Sequence, residues 1–370
     1  MTTDLPTSAP DAAAAPADHA PAAPAARATP ALRDDPRVDP RLVAAMEPLG
    51  LAGPLPPSRL DASTPLEKIR SALDRLEAGS STMNALAVDG LDPVVGVERS
   101  TVTVAAPAGH EITVYLHRPD GVTGPLPAVL HLHGGGGVMM TAADDHYVRW
   151  RDELATHGVV VAGVEFRNGA GRLGAHPFPA GLDDCATALG WLHEQRAVLG
   201  VSSVVVSGDS GGGNLALATA LRAKREGVSE RIDGVYALCP YISNAYAAPP
   251  DELPSLRDND GYLVSVALLG AMAKAYTPDP DDARSGLAWP LLIDDDELVG
   301  LPPHVVSVNE LDPLRDEGLT YYRRLLAAGV PARARTLNGT VHAAESNYFA
   351  VIPDVARATL ADIAWFARSL

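Results

Sequence analysis

The stretch GDSGGGNLALA, Gly208 to Ala218, sets the architecture of the whole chain. Its opening GDSGG puts a serine among glycines, which occurs in two unrelated settings: a loop of an all-β barrel, and a sharp turn from a strand into a helix. The flanks decide between them. Before the serine, SSVVVSG (202–208) is short and Val-rich, as a strand buried on both faces should be. After it, NLALATALRAKREG (214–227) has helical spacing. Ser210 is therefore expected at a strand-turn-helix elbow. Gly208 and Gly212 are needed there because the strand and helix backbones crowd together.

Working outward, the same rhythm repeats. VERSTVTVAA (97–106) and EITVYLHRP (111–119) alternate like half-buried strands around the turn PAGH. PAVLHLH (127–133), GVVVAGVEF (158–166), GVYALCP (234–240), HVVSVNE (304–310) and ARARTLN (332–338) are further strands. Between them, YVRWRDELATHG, GLDDCATALGWLHEQRAVLG and GLTYYRRLLAAGV read as helices. Strands alternating with helices predict an α/β chain with a mostly parallel sheet of eight strands, flanked by helices. Residues 241–303 break the rhythm, being too long for an ordinary crossover and too apolar for a disordered linker. They read either as a helical excursion lining a site or as a crossover helix with a surface loop.

The 370 residues include 29 basic and 46 acidic side chains, a net charge of −17, with no basic cluster to reverse it. Such a surface repels nucleic acid and anionic membranes. No apolar run reaches the ~20 residues of a membrane span. Cys185 and Cys239 are the only cysteines, too few for a disulfide framework or a Cys-based zinc site, and they suit a reducing compartment. The N-terminal Ala/Pro run lacks the basic and apolar regions of an export signal, so a cytoplasmic location is expected. The expected organisation is a disordered arm over 1–34, a helical cap region over 35–90 and a catalytic domain over 91–370. In the cap region, STPLEKIRSALDRLEAG opens with a Ser/Thr cap and carries Leu66, Ile69, Leu73 and Leu76 on one stripe.

At such an elbow the acid and base follow the serine in the chain. Only His304 and His342, among eleven histidines, come late enough. His304 begins a strand, at the wrong end of the sheet, whereas His342 lies in NGTVHAAE, just past the last strand, where α/β sites form. His342 is the expected base. Of the carboxylates after the strand HVVSVNE, Asp316 and Glu317 suit the first turn of a helix, and Asp312, stiffened by Pro313, is favoured over Glu310 as the acid. HLHGGGG (131–137) can aim several backbone N–H groups at one point. No Lys-Ser/Thr pair follows, which removes the phosphate-loop reading.

Together HGGGG (133–137), HPFPAGLDDC (176–185), GDSGGGNLALA, ELDPLRDEG (310–318) and the terminal histidine resemble the hormone-sensitive-lipase-like branch of the α/β-hydrolases, the bacterial family IV carboxylesterases. The resemblance runs from about Glu111 to the C-terminus. It implies Ser210, Asp312 and His342 as the triad, N–H groups of Gly135, Gly136 and Gly211 as the oxyanion hole, an N-terminal helical cap, and no metal or organic cofactor. VEFRNGAGRLG in place of a DYRLAPE-like stretch, Gly211 in place of Ala, and VHAAE in place of a THGF-like ending are similar to the brefeldin A esterase subgroup. The implied substrate is a small-molecule carboxylic ester, with a bulky or macrocyclic lactone favoured by the subgroup. Aryl, short-acyl or phthalate esters, amides, and a non-catalytic receptor role are the alternatives, and a monomer or homodimer is expected.

Met139, Met140, Phe166, Tyr262 and Trp289 are candidates for the substrate pocket. Asp144, Asp145 and His146 could suggest a metal, but adjacent residues point apart and a helix cap is the better reading. Asp183 and Asp184 also suit a helix start. His131 reads as a packed, hydrogen-bonded strand residue beside the glycine run.

Overall fold

The computed structural model describes residues 1, 29–53, 55–80 and 87–370. One eight-stranded sheet runs through the molecule: β1 (Val97–Ala105), β2 (Glu111–Pro119), β3 (Leu126–Leu132), β4 (Val160–Glu165), β5 (Val201–Asp209), β6 (Gly234–Leu238), β7 (His304–Asn309) and β8 (Ala332–Leu337). Their spatial order is β1-β2-β4-β3-β5-β6-β7-β8. β2 pairs antiparallel with both β1 and β4, and all other pairs are parallel. The pattern follows from the side chains. β4, β6 and β7 are almost wholly buried and need apolar residues on both faces, whereas the edge strand β1 is largely exposed and alternates.

Eight principal helices surround the sheet: α1 (Pro40–Met46), α2 (Leu66–Gly79), α3 (Asp145–Thr156), α4 (Ala180–Glu194), α5 (Gly211–Arg225), α6 (Val266–Tyr276), α7 (Arg315–Ala327) and α8 (Pro353–Arg368). Residues of α4, α5 and α7, among them Leu189, Leu217 and Tyr321, form a core with one sheet face. Trp150 and Leu154 of α3 and Leu360 and Ile363 of α8 cover the other. With both faces buried, a site can form only at the strand ends, and in such α/β sheets it forms at the C-terminal edge.

Two further clusters sit at that edge. Ile69 and Leu73 of α2 pack with α6 and with Tyr241, Tyr246 and Trp289. Leu32, Leu42 and Met46 pack with Tyr262 and Tyr348. Packing thus begins by Leu32, before the expected end of the N-terminal arm at 34, while residues 2–28 of that arm lie outside the described residues. The expected Ser/Thr cap of α2 is replaced: Pro65 occupies the N-cap position without a side-chain bond. Instead, Asp61 gathers the N–H groups of Ser63 (2.8 Å) and Thr64 (3.1 Å) one turn earlier. Among the described residues, no helix is long and apolar enough to cross a membrane.

Candidate active site

Ser210 stands between β5 and α5 with φ +54° and ψ −116°, a backbone conformation costly for any residue with a side chain. The surroundings hold it there. Its N–H donates to Leu238 O (2.9 Å), and its own carbonyl accepts the N–H groups of Asn214 (2.9 Å) and Tyr241 (3.2 Å). A Cβ on Gly208 would come within 2.4 Å of Leu132 O, and one on Gly212 within 2.1 Å of the same oxygen. Both positions must be glycine for the elbow to close, as the sequence implied. The N-terminus of the 15-residue α5 then points its positive end at the serine oxygen.

His342 and Asp312 reach Ser210 from the loops after β8 and β7. Ser210 Oγ–H lies 2.9 Å from His342 Nε2, and His342 Nδ1–H donates to Asp312 Oδ2 at 2.8 Å. Asp312 has no exposed surface, and its Oδ1 accepts the Leu314 N–H (2.9 Å), which fixes the carboxylate's direction. Burial alone would depress the His342 pKa, but the Asp312 charge and hydrogen bond outweigh it and raise the value. The imidazole is thereby a stronger proton acceptor. Glu310 is diverted to the Gly339 N–H (2.8 Å), and His304 is bonded to Pro302 O at the N-terminal end of β7. Neither rival reaches the serine.

The loop after β3 supplies the facing donors. Gly135, Gly136 and Gly137 have φ of +92°, +65° and +69°, a left-handed run that explains three of the four consecutive glycines. Gly211 explains itself differently: a Cβ there would stand 2.5 Å from Gly136 N. The absence of a side chain at Gly211 lets the two amides approach. Among the described residues the N–H groups of Gly135, Gly136 and Gly211 donate no hydrogen bond, so they remain free for an oxygen in the cavity.

That cavity has a volume of about 420 Å³ and is lined by Ser210, His342, Gly135, Gly136, Met139 and Met140. More of its wall comes from Arg75, Leu76 and Gly79 at the end of α2, and from Leu263, Val264, Leu268, Leu269 and Met272 of the 241–303 excursion, beside His146, Tyr147 and Asn347. Three pocket candidates are corrected. Phe166 stacks on His133 beneath the glycine run at 4.0 Å between ring centres. Trp289 packs against Tyr241 and Tyr276 and donates to Thr277 Oγ1 (3.2 Å). Tyr262 is turned away, donating to Asp35 Oδ2 (2.9 Å). Each is buried, but in the core behind the wall.

Several buried polar groups frame the site. Asp209, next to Ser210, accepts from Tyr147 Oη–H (3.2 Å), and Tyr147 Oη in turn accepts the Gly134 N–H (2.8 Å). Burial raises the Asp209 pKa to about 7. Asn309 ties the histidine loop to β7 by donating to Thr340 Oγ1 (2.9 Å) and Glu345 Oε2 (2.8 Å). Tyr147 and Asn309 carry no motif in the sequence, whereas Asp209 is the aspartate of GDSGG, beside Ser210. Asp144 takes the Thr141 N–H (3.1 Å) and Arg172 Nη2 (2.7 Å), a structural role. Asp184 is held by Arg167 and His110 instead of serving α4 as a cap. His131 is packed beside Tyr147, but among the described residues its Nδ1 has no hydrogen-bond partner, against the expected hydrogen bond. Cys239, Asp312 and His342 place potential ligand atoms within 4.8 Å, yet both imidazole nitrogens are already engaged by Ser210 and Asp312.

Residues 129–346 match the family described as alpha/beta hydrolase fold. The carboxylesterase NlhH of Mycobacterium tuberculosis is 32% identical over 264 residues, covering 70% of this chain and 79% of that protein. Among solved structures, brefeldin A esterase, described as a bacterial homologue of human hormone-sensitive lipase, superposes with a TM-score of 0.87. It is 43% identical and the match covers 91% of this chain and 95% of that one. Esterase Est22 gives a TM-score of 0.81 at 35% identity, over 92% and 100% of the two chains. The shared sheet, elbow and sequence lead to one conclusion: this chain belongs to the α/β-hydrolase-fold family and is a serine carboxylesterase of its hormone-sensitive-lipase-like branch.

Proposed function

We propose that Ser210 is the nucleophile, His342 the general base and Asp312 the residue that orients it, acting on bulky, largely apolar carboxylic esters. The observation that carries the roles is the continuous hydrogen-bonded line from Ser210 Oγ through His342 to the buried Asp312. As His342 takes the Ser210 proton, the serine oxygen attacks the ester carbonyl, and Asp312 stabilises the imidazolium. The N–H groups of Gly135, Gly136 and Gly211 receive the oxyanion, each such donor being worth ~3 to 4 kcal/mol. His342 then protonates the leaving alcohol and activates water to release the acid. The chemistry draws only on these side chains and amides.

The substrate reading rests on the cavity. Its volume of about 420 Å³ suits a drug-sized ligand, and Leu263, Leu268, Leu269, Met272, Met139 and Met140 offer it an apolar surface. The likeness to brefeldin A esterase brings macrocyclic lactone esters within this class. The N-terminal helices act as the cap: α2 closes one side of the cavity. The two cysteines are buried free thiols, in keeping with work in the cytoplasm, as a monomer or homodimer. The test is covalent labelling with a fluorophosphonate followed by peptide mass analysis. Modification at Ser210 supports the roles; labelling at another serine, or none, overturns them.

A further inference from the structure

Glu77 lies in the last turn of α2, and its side chain has no exposed surface. A carboxylate so placed must be held by donors, and three are present. Oε1 accepts the backbone N–H of Met140 (2.8 Å) and Arg172 Nε (3.3 Å), and Oε2 accepts the backbone N–H of Arg172 (2.6 Å). One turn earlier, Asp74 Oδ1 accepts the Gly171 N–H (3.0 Å). The N-terminal helix thus grips two loops of the catalytic domain at once, and one of them is the glycine loop.

Met140 ends that loop with φ +71°, a strained conformation for a side chain of its size. Both of its backbone polar groups are held: the N–H by Glu77, and the carbonyl by Asn168 Nδ2 (2.7 Å). The loop between Gly135 and Met140 is a tight turn in which Val138 and Met139 donate to Gly135 O at 3.1 and 3.2 Å. It has no slack, since a Cβ on Gly135 would fall 2.1 Å from Met139 O. A shift of Met140 must therefore move Gly135, and with it the amides that face Ser210. Gly169 N–H to Gly137 O (2.8 Å) is a further tie, and it springs from the same 168–172 segment that Glu77 holds; Tyr147 Oη holds the loop's other side through the Gly134 N–H (2.8 Å).

We propose that Glu77 is a positioning residue for ester hydrolysis: through Met140 and Arg172 it holds the oxyanion loop in place, so the N-terminal helix completes the catalytic machinery and is more than a cap. This rests on the assignment of Gly135 and Gly136 as oxyanion donors. Losing the carboxylate leaves the Met140 and Arg172 N–H groups unpaired and frees the loop to relax. Misplacing a reacting group by about 1 Å costs on the order of 100-fold in rate, so an effect on turnover is expected without loss of substrate binding.

The experiment measures kcat and KM of the full chain for p-nitrophenyl acetate in Glu77→Ala, Glu77→Gln and Asp74→Asn, with affinity for a trifluoromethyl ketone, which mimics the tetrahedral adduct. Glu77→Ala should lower kcat by about 10- to 100-fold with KM within about twofold, and weaken the ketone by a similar factor. Glu77→Gln keeps the volume and one acceptor oxygen, so it should fall between wild type and Ala; it decides the matter if the alanine variant fails to fold. Asp74→Asn removes a carboxylate that, among the described residues, accepts the Gly171 N–H and no donor of the glycine loop, and should keep kcat within about twofold. A Glu77 variant with normal kcat and ketone affinity, even at lowered melting temperature, overturns the proposal, as does an equal loss in Asp74→Asn. Wild-type protein unreactive toward fluorophosphonate would refute the catalytic reading itself, an outcome distinct from either.

Discussion

The loops leaving β5 and β8, with Asp312 after β7 behind them, and the wall built by α2 and residues 241–303 enclose the same cavity, but they are specified at different ranges. In the first region each functional residue sits at the end of a buried strand, and its neighbours in sequence hold it. Gly208 and Gly212 fix Ser210, Pro313 follows Asp312, and the Leu314 N–H returns to the Asp312 carboxylate. In the second, the residues come from helices whose position depends on distant packing: Ile69 and Leu73 against α6, and Lys274 Nζ donating to the carbonyls of Ala62 (3.1 Å) and Thr64 (2.8 Å). The contrast teaches that the line from Ser210 to Asp312 is encoded locally, whereas the shape of what is bound, and the hold of α2 on the glycine loop, are encoded by contacts between remote segments.

The sharpest way to break this division is to remove chemistry while sparing the wall. His342→Ala should lower kcat/KM for a p-nitrophenyl ester by about 10⁴-fold or more, with an unchanged fold by circular dichroism. In the wild type, kcat/KM should fall as pH drops through the raised His342 pKa, because an imidazolium cannot accept the Ser210 proton. Asp312→Asn should move that acidic limb to lower pH, since the charge that raises the value is gone. An unmoved limb would mean that a different group titrates.

The converse change alters the wall and spares the chemistry. Leu268 lines the cavity from α6, so Leu268→Trp should fill part of the space. Across p-nitrophenyl esters of graded acyl size, kcat/KM for bulky members should drop by about 10-fold or more while acetate stays within a few-fold. A uniform loss would show that the wall and the chemistry are not separable.

A smaller effect probes stability. Glu317, buried behind the segment that follows β6, accepts from the Ile242 N–H (2.9 Å) and Tyr246 Oη–H (2.9 Å). Burial raises its pKa from 4.5 to about 8. The folded chain therefore retains a proton that the unfolded chain has released, so this group's stabilisation is present at low pH and is lost as pH rises from about 4.5 to about 8. The slope is at most about 1.4 kcal/mol per pH unit. In Glu317→Gln, urea unfolding at pH 5 and pH 8 should show that dependence reduced relative to wild type; an identical slope would contradict it.

The same division accounts for what could be read from the chain. The eight strands and the helices between them follow from Val-rich runs and 3.6-residue spacing, which are local signals. The meeting of Ser210, Asp312 and His342, the proposed triad, was legible because chain order and strand ends left few rivals; Glu310 and His304 are the two that the structure sends elsewhere. Phe166, Tyr262 and Trp289 were misassigned because a large aromatic residue near a site looks the same in sequence whether it lines a cavity or backs its wall. Glu77 was missed because a charged residue is read as solvent-facing, although it stands four residues after Leu73 and eight after Ile69, on the face that docks; what its carboxylate holds depends on distant segments.

The central claim is that Ser210, activated by His342, attacks the ester carbonyl. Its most direct test is steady-state turnover of a p-nitrophenyl ester by Ser210→Ala, with thermal unfolding measured beside it. The account predicts turnover at the level of the uncatalysed reaction, a loss on the order of 10⁶-fold, with the melting temperature preserved. Retained turnover by a folded Ser210→Ala protein would contradict it.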